Sequence, residues 1–384
     1  MIQFQNVHKS YKSGQQVLQG IDLTIQTGEL MVLIGESGCG KTTLLKTVNK
    51  LNAIDSGEVL LDGRSVNDVR LEEIPQLIGY VVQEGGLFPH LTVEENIALI
   101  MKNCGATDAR ISERVTELLQ LVNLDPEKYR SQYPSQLSGG QRQRVGVARA
   151  FAMDPGIILM DEPFSALDPI TRNELQDEVV RLQKTWHKTI LFVTHDMDEA
   201  VKIATRICFL HDGAIEQCDT PENILKHPKT EAVRSFIGKN RLWENPEFIK
   251  AKDFMRSKPF FITRHRTVMQ ALTIMRQNSI DSLMVEDGNG TFLGMLWLKD
   301  LVELGEEIYS RNAEEFISDR YVVVGEEENL RDILGKIRAF DYHRVGIIPV
   351  LREDRVVMGY ITRSSLLSVL SRRFEPEGGE EADE

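Results

Sequence analysis

The spacing of apolar and polar positions changes several times along the 384 residues, and each change predicts a new element. Residues 1 to about 30 alternate, with Ile2, Phe4 and Val7 set between Gln3, Gln5 and Asn6, and a second alternating run from Val17 to Ile25. That period predicts short antiparallel strands, with turns at Ser13-Gly14 and Thr27-Gly28. Residues 29–34 form an apolar run that passes into a glycine-rich turn and then a helix over 41–49. Residues 92–125 read as largely helical, with amphipathic spacing over 111–124. Residues 156–160 and 189–193 are continuous apolar runs of buried-strand length. Strands alternating with helices predict a mainly parallel α/β sheet.

The pattern fades near residue 240, and this first domain is taken as 1–240 with 241–258 as a connector. An internal repeat follows, one copy over 259–310 and the other over 311–371. Each copy has an extended start (Phe260-Phe261-Ile262; 321–324) and then a helix (267–278; 330–340). A strand pair comes next (282–286 with 292–297; 345–351 with 356–361), then a closing helix. Two copies of about 60 residues predict a pseudo-symmetric pair, since a solenoid needs at least three units. The acidic end, 372–384, has nothing to bury after Phe374 and reads as a disordered tail.

Composition narrows the function classes. With 41% hydrophobic and 27% charged residues the chain is of ordinary globular type. A net charge of −13 argues against nucleic-acid binding, which needs a basic surface. No run approaches the roughly 18 apolar residues of a membrane span. The N-terminus lacks a secretory hydrophobic region, so the chain is expected in the cytoplasm, with any membrane role reached through partner chains. Cys39, Cys104, Cys208 and Cys218 match no zinc or CxxC spacing and are expected as free thiols.

Three motifs carry chemistry. Gly35, Glu36, Ser37, Gly38, Cys39, Gly40, Lys41 and Thr42 match the phosphate-loop pattern GxxxxGK[ST], followed by Thr43. A triphosphate needs converging backbone N–H groups, which glycines permit, and a helix N-terminus adds positive dipole. Lys41 supplies a point charge to the β- and γ-phosphates, and the Thr42 hydroxyl reaches Mg²⁺. Ile157, Ile158, Leu159 and Met160 end in two carboxylates, Asp161 and Glu162. A buried strand holds Asp161 at its carboxyl edge, where it positions Mg²⁺ through water, and Glu162 polarises the attacking water as general base. Leu137, Ser138, Gly139, Gly140 and Gln141 lead into an arginine-rich helix and form a second anion-binding helix start.

These motifs, in this order, resemble the ABC ATPase family. The resemblance implies an ABC-type P-loop NTPase domain of α/β class, a mixed sheet with an antiparallel β-subdomain and a helical subdomain. It implies Tyr11 as the aromatic that stacks on adenine, Gln83 in the lid loop contacting Mg²⁺ and the water, and His195 contacting the γ-phosphate. Residues Ser165, Ala166, Leu167 and Asp168 after the carboxylate pair complete the set. The family's cassettes dimerise head to tail, so Ser138 and Gly140 of one chain are expected to face the γ-phosphate held by Lys41 of the other. ATP and Mg²⁺ are the implied substrate and cofactor.

One uninterrupted cassette is similar to importer ATPases. The stretch from Gly79 to Asn96 resembles the region that bears on a permease, with Leu87, Phe88 and Pro89 as candidate contacts. The repeat resembles a tandem pair of α+β CBS domains. The adenosine pattern of such domains is divided between the copies: the first keeps Asp300 but has Trp297 in the hydroxyl position, and the second keeps Thr362 but has Ser365 in the acid position. An adenine (di)nucleotide ligand and a dimerising role both stand open. A cassette followed by two CBS domains resembles the ATPase subunit of quaternary-amine importers for glycine betaine, carnitine or choline. That implies transmembrane permease subunits, an extracytoplasmic solute-binding protein or domain, and a place on the cytoplasmic face of the cell membrane. Two alternatives remain: an importer ATPase for another small solute, and a soluble ABC ATPase.

Overall fold

The computed structural model describes residues 1–384 except 12, 13, 15, 84, 85, 166, 239, 240, 341–345 and 373–384. Ser13 of the first expected turn, Ala166, Asn240, Val345 at the start of an expected strand and the acidic tail therefore lie outside the described residues. The chain divides into two compact units, Met1–Ile237 and Gly238–Glu384.

In the first unit ten strands follow in order: β1 (Ile2–Ser10), β2 (Gln16–Ile25), β3 (Leu30–Ile34), β4 (Ser56–Leu61), β5 (Arg64–Ser65), β6 (Ile78–Val81), β7 (Ile157–Asp161), β8 (Thr189–Val193), β9 (Arg206–His211) and β10 (Ala214–Asp219). The alternating N-terminal segments form an antiparallel sheet, β2-β1-β4-β5. The second sheet runs β10-β9-β3-β8-β7-β6, parallel throughout except for the edge pair β9–β10. Its inner strands β3, β7 and β8 are buried at every residue, as continuous apolar runs require when helices cover both faces. One apolar core joins Phe4, Ile21 and Leu23 of the first sheet to Leu33, Leu159 and Leu191 of the second, with Leu44, Leu45 and Val48 from the helix Lys41–Val48.

A helical part is made by Val93–Asn103, Asp108–Leu121 and Gly139–Ala150, which pack on one another. The expected helical stretch 92–125 is thus two helices, broken after Asn103 where Gly105 takes φ +75°. The helix Gly139–Ala150 also lies along β6. A Cβ added at Gly79 would stand 2.2 Å from the Ala150 carbonyl oxygen and 2.8 Å from Ile158 Cδ1. This glycine sets how close the helical part comes to the sheet.

In the second unit each repeat is a three-stranded sheet: β11 (Phe261–Thr263), β12 (Ser282–Glu286) and β13 (Phe292–Trp297), then β14 (Val324–Gly325), β15 (Ile348–Leu351) and β16 (Val357–Ile361). In both sheets the first pair is parallel and the second antiparallel. Helices Val268–Gln277 and Leu298–Glu303 serve one copy, Leu330–Ala339 and Arg363–Arg372 the other. The segment 241–258, expected as a connector, is folded structure. It carries the short helices Arg241–Glu244 and Ala251–Phe254. Ile249 and Ala251 sit in the core of the second repeat beside Leu330 and Ile333. Arg256 exchanges backbone hydrogen bonds with Tyr360, at 2.9 and 3.0 Å. Reciprocally, Ser318, ahead of β14, bonds back to Met295 of the first repeat, with its N–H 2.8 Å from the Met295 carbonyl oxygen.

Among the described residues no helix is long and apolar enough to cross a membrane. Gly79→Ala should destabilise the first unit by about 2 kcal/mol, the usual cost of forcing extra volume into a close-packed contact. A lowered urea midpoint with an unchanged slope would register it.

Candidate functional site

The parallel strands β3, β6, β7 and β8 end on one edge of their sheet, the usual ligand edge of such folds. β3 delivers the phosphate loop. Gly35 has φ +150°, and a Cβ there would fall 2.1 Å from the Leu210 carbonyl oxygen, so the loop passes β9 only as glycine. Gly40 is the N-cap of Lys41–Val48 with φ +108°. Lys41 is 5% exposed, and its Nζ donates to the carbonyls of Gly35 at 2.7 Å and Glu36 at 2.8 Å. Its charge therefore sits inside the curve of the loop. Ser37 and Gly38 form the outer turn. Cys39 lies against Lys41 at 3.8 Å, and burial nevertheless pushes its thiol above the ordinary range.

β7 delivers the carboxylates. Asp161 is buried at its end, and three elements converge on it. The Thr42 hydroxyl donates to Oδ1 at 2.6 Å, Tyr80 OH of β6 donates to Oδ2 at 3.4 Å, and Lys46 Nζ lies 3.5 Å from Oδ2. Burial first, and the Asp161 charge second, push the Tyr80 phenol far above its ordinary value, so it is a fixed donor. Neither Tyr80 nor Lys46 was found from the sequence. Only the position of Tyr80 on the strand just ahead of Gln83, and of Lys46 one helical turn after Thr42, could have signalled them.

Glu162 leaves the strand with φ +44°, its N–H bonded to the Val193 carbonyl at 3.0 Å. A non-glycine residue in this region costs on the order of 1 kcal/mol or more and turns the side chain off the strand axis. Gln83 Nε2 donates to Glu162 Oε2 at 3.5 Å, and His195 Nδ1 stands 3.4 Å from the same oxygen. The structure thus brings together Gln83, Glu162 and His195, residues 112 positions apart at the extremes. His195 is steadied by its neighbour Thr194, whose hydroxyl donates to buried Glu199 at 2.7 Å. Burial raises the Glu199 carboxyl above its usual range, only partly offset by that hydrogen bond. Arg172 links this network to the Leu167 carbonyl at 3.2 Å and to Asp196 at 3.5 Å. Glu199 and Arg172 were also missed.

Tyr11 is exposed, with its hydroxyl 3.3 Å from Thr43 Oγ1. Ser138 caps Gly139–Ala150 through a reciprocal pair: its Oγ accepts from Gln141 N–H at 3.2 Å, and Gln141 Oε1 accepts from Ser138 N–H at 2.9 Å. Gly139 and Gly140 form the first turn of that helix. Among the described residues no hydrogen bond or ion pair joins Ser138, Gly139, Gly140 or Gln141 to the phosphate loop. In the second unit the Thr362 hydroxyl bonds Ser364 at 2.8 Å and Ser365 at 2.9 Å, and accepts from Ser365 N–H at 3.1 Å. It acts as a helix cap. Asp300 is exposed in the first turn of Leu298–Glu303.

The loop before Val93–Asn103 is clamped from beneath. Asn96 is fully buried; its Nδ2 donates to the carbonyls of Phe88, Leu91 and Thr92 at 3.1, 3.0 and 2.9 Å, and its Oδ1 accepts from Phe88 N–H at 2.8 Å. Arg149 Nη1 holds the Gly86 carbonyl at 2.8 Å. Phe88 and Pro89 stay exposed on this rigid loop, with Leu87 half-buried. Asn96 escaped the sequence reading, although a lone amide on the apolar face of that helix is its signal.

Comparison with known proteins bears on these geometries. The ABC transporter family model matches residues 18–165, and the CBS domain model matches 251–307 and 313–372. The chain is 43% identical over 372 residues to the choline transport ATP-binding protein OpuBA of Bacillus subtilis, covering 96% of each. It is 42% identical over 371 residues to the glycine betaine/carnitine/choline transport ATP-binding protein OpuCA of the same organism. It is 36% identical to the osmoprotectant import ATP-binding protein OsmV of Salmonella typhimurium, covering 97% of this chain and 96% of that one. Among solved structures, a dimeric post-hydrolysis state of an ATP-binding cassette bound to ADP and Pi matches with TM-score 0.53 at 37% identity. It covers 58% of this chain and 99% of that one.

Asn96→Ala removes four hydrogen bonds and takes from the Phe88 N–H its Oδ1 acceptor, while the Phe88 carbonyl keeps only the Leu91 N–H at 3.2 Å. The expected cost is about 2 kcal/mol. Amide hydrogen exchange over 86–92 should accelerate; unchanged protection would show that Asn96 does not hold the loop.

Proposed function

The chain belongs to the ATP-binding subunits of ABC importers for quaternary-amine osmoprotectants, and on that premise we propose how its residues divide the work and what it imports. It is an ATPase with a C-terminal CBS pair. The proposed solute is a quaternary amine of the glycine betaine, carnitine or choline type.

In the proposed mechanism Lys41 and the loop N–H groups hold the β- and γ-phosphates, and Tyr11 packs on the adenine. Gly35, Ser37, Gly38, Cys39, Gly40 and Thr43 complete the nucleotide contacts. The donor set suits a hard divalent cation: the Thr42 hydroxyl and Asp161 carboxylate are oxygen donors 2.6 Å apart. Mg²⁺ would be held by Thr42 and Gln83, with Asp161 acting partly through water. When bound, it neutralises charge on the β- and γ-phosphate oxygens. Glu162 takes a proton from the water as that water's oxygen attacks the γ-phosphorus and ADP leaves. Gln83 orients the water, and His195 contacts the γ-phosphate. The single observation supporting this reading is the approach of Gln83 and His195 to one oxygen of Glu162, at 3.5 and 3.4 Å.

Two copies pair head to tail in this proposal, Ser138, Gly139, Gly140 and Gln141 of one completing the site of the other. The capped helix start supports that role, because its first-turn N–H groups form an anion-binding end. Phe88 and its neighbours dock on permease subunits at the cytoplasmic face of the membrane, and an extracytoplasmic binding protein or domain delivers the solute. The clamp by Asn96 and Arg149 supports docking on a rigid loop. At the CBS pair, an adenine (di)nucleotide would meet Asp300 in one copy and Thr362 in the other.

Glu162→Gln should keep ATP binding and lower turnover by about 10²-fold or more, the worth of a general base. Phosphate release beside nucleotide affinity measures both, and near-normal turnover would remove Glu162 as the base. Lys41→Ala should lose tight ATP binding in the same assays. Co-expression with the permease and radiolabelled choline or glycine betaine uptake tests the solute. Phe88→Asp should abolish uptake while the isolated chain keeps its ATPase activity; retained uptake would exclude the docking role.

A further inference from the structure

Behind the phosphate loop, two neighbouring strands carry facing cysteines. β9 and β10 run antiparallel, and Cys218 stands directly opposite Cys208 in their register. Opposite residues project from the same face of a sheet, with Cα atoms about 4.5–5.5 Å apart. A disulfide needs a Cα separation of about 4.4–6.8 Å, so this pair can be joined without moving either strand.

The surroundings differ for the two sulfurs. Cys208 is fully buried between β3 and β10, and it faces Cys218 across the strand pair. Cys218 is half-buried, and Arg206 Nη2 donates to its Sγ at 3.0 Å. Arg206 is itself held by Glu29 Oε1 at 3.2 Å and the Thr24 carbonyl at 3.3 Å. A guanidinium thus sits on one of two facing sulfurs, where it stabilises a thiolate. The Cys218 thiol is held below its ordinary value, by the facing Cys208 thiol first and with Arg206 adding to it against burial. Cys208 is pushed well above, as is Cys39 to a lesser degree by burial. Cys104 is exposed and takes a hydrogen bond from Gln76 at 3.9 Å.

We propose that Cys208 and Cys218 form a peroxide-reactive dithiol, with Cys218 as the thiol that attacks peroxide and Cys208 as the resolving one. The Cys218 thiolate attacks one oxygen of hydrogen peroxide; the O–O bond breaks, and hydroxide leaves and takes up a proton to become water. The sulfur is then a sulfenic acid, oxidised by two electrons. The Cys208 sulfur attacks it, the S–O bond breaks, the Cys208 proton departs with that oxygen, and a second water leaves. Two thiols and one peroxide give one disulfide and two waters. The product ties the edge hairpin to β9, which pairs with β3 at Leu33–Cys208 and Ile34–Phe209, immediately before Gly35.

The test uses the full chain, treated with hydrogen peroxide, alkylated and mapped by mass spectrometry. The expected product is a Cys208–Cys218 linked peptide lighter by two hydrogens, which dithiothreitol reverses. Cys218→Ser should abolish the link. Arg206→Gln should slow it several-fold while circular dichroism remains native. Oxidation of Cys39 or Cys104 ahead of the pair, no linked peptide, or an unchanged rate in Arg206→Gln would each overturn the assignment.

Discussion

Four neighbouring strands run parallel and so end on the same edge of one sheet, and the proposed ATP site depends on that constraint. The register aligns Leu33 with Val193, Val193 with Asp161, and Met160 with Val81. Each strand then releases residues of the proposed ATP site at one level: Gly35 to Thr42 from β3, Gln83 from β6, Asp161 and Glu162 from β7, and Thr194 and His195 from β8. A one-residue slip of β7 would turn Asp161 to the other face and lose the set together. The strands tolerate no such slip because their side chains are buried on both faces.

Burial makes the site's polar groups interdependent. A carboxylate taken out of water needs partners, and Asp161 has three of different chemistry: a hydroxyl, a phenol and an ammonium. Glu199 meets the Thr194 hydroxyl, the Gln176 amide and the Arg172 guanidinium, and burial still raises its carboxyl. The first is held ready to accept from a ligand, while the second anchors the backbone beside His195. Arg172 joins this anchor to Leu167, so the segment after the carboxylate pair and the segment bearing His195 share one support.

The second unit is organised by exchange. Each three-stranded sheet is closed by the segment that precedes the other, Arg256 on Tyr360 and Ser318 on Met295. A shared core of Met284, Phe292, Met295, Ile347 and Tyr360 lies between the copies. Neither copy is complete alone, which accounts for the folded state of residues 241–258.

Much was legible in the sequence because it is encoded locally. Glycines with a lysine and a threonine at fixed spacing, apolar runs ending in acids, and a serine three residues before a glutamine are short-range patterns. They determined the family, the parallel sheet, the phosphate loop and the repeat. Long-range placement was not local. Tyr80, Lys46, Asn96, Glu199 and Arg172 acquire roles only when distant elements meet, and a lone tyrosine or lysine has no period to betray it. The connector was misjudged for the same reason: Ile249 and Ala251 are too few to make a pattern, and their core is supplied by residues some 80 positions later. Sequence determined which chemistry the chain carries; only the tertiary structure decided which side chains hold it in place, because burial and hydrogen-bond partners are properties of packing.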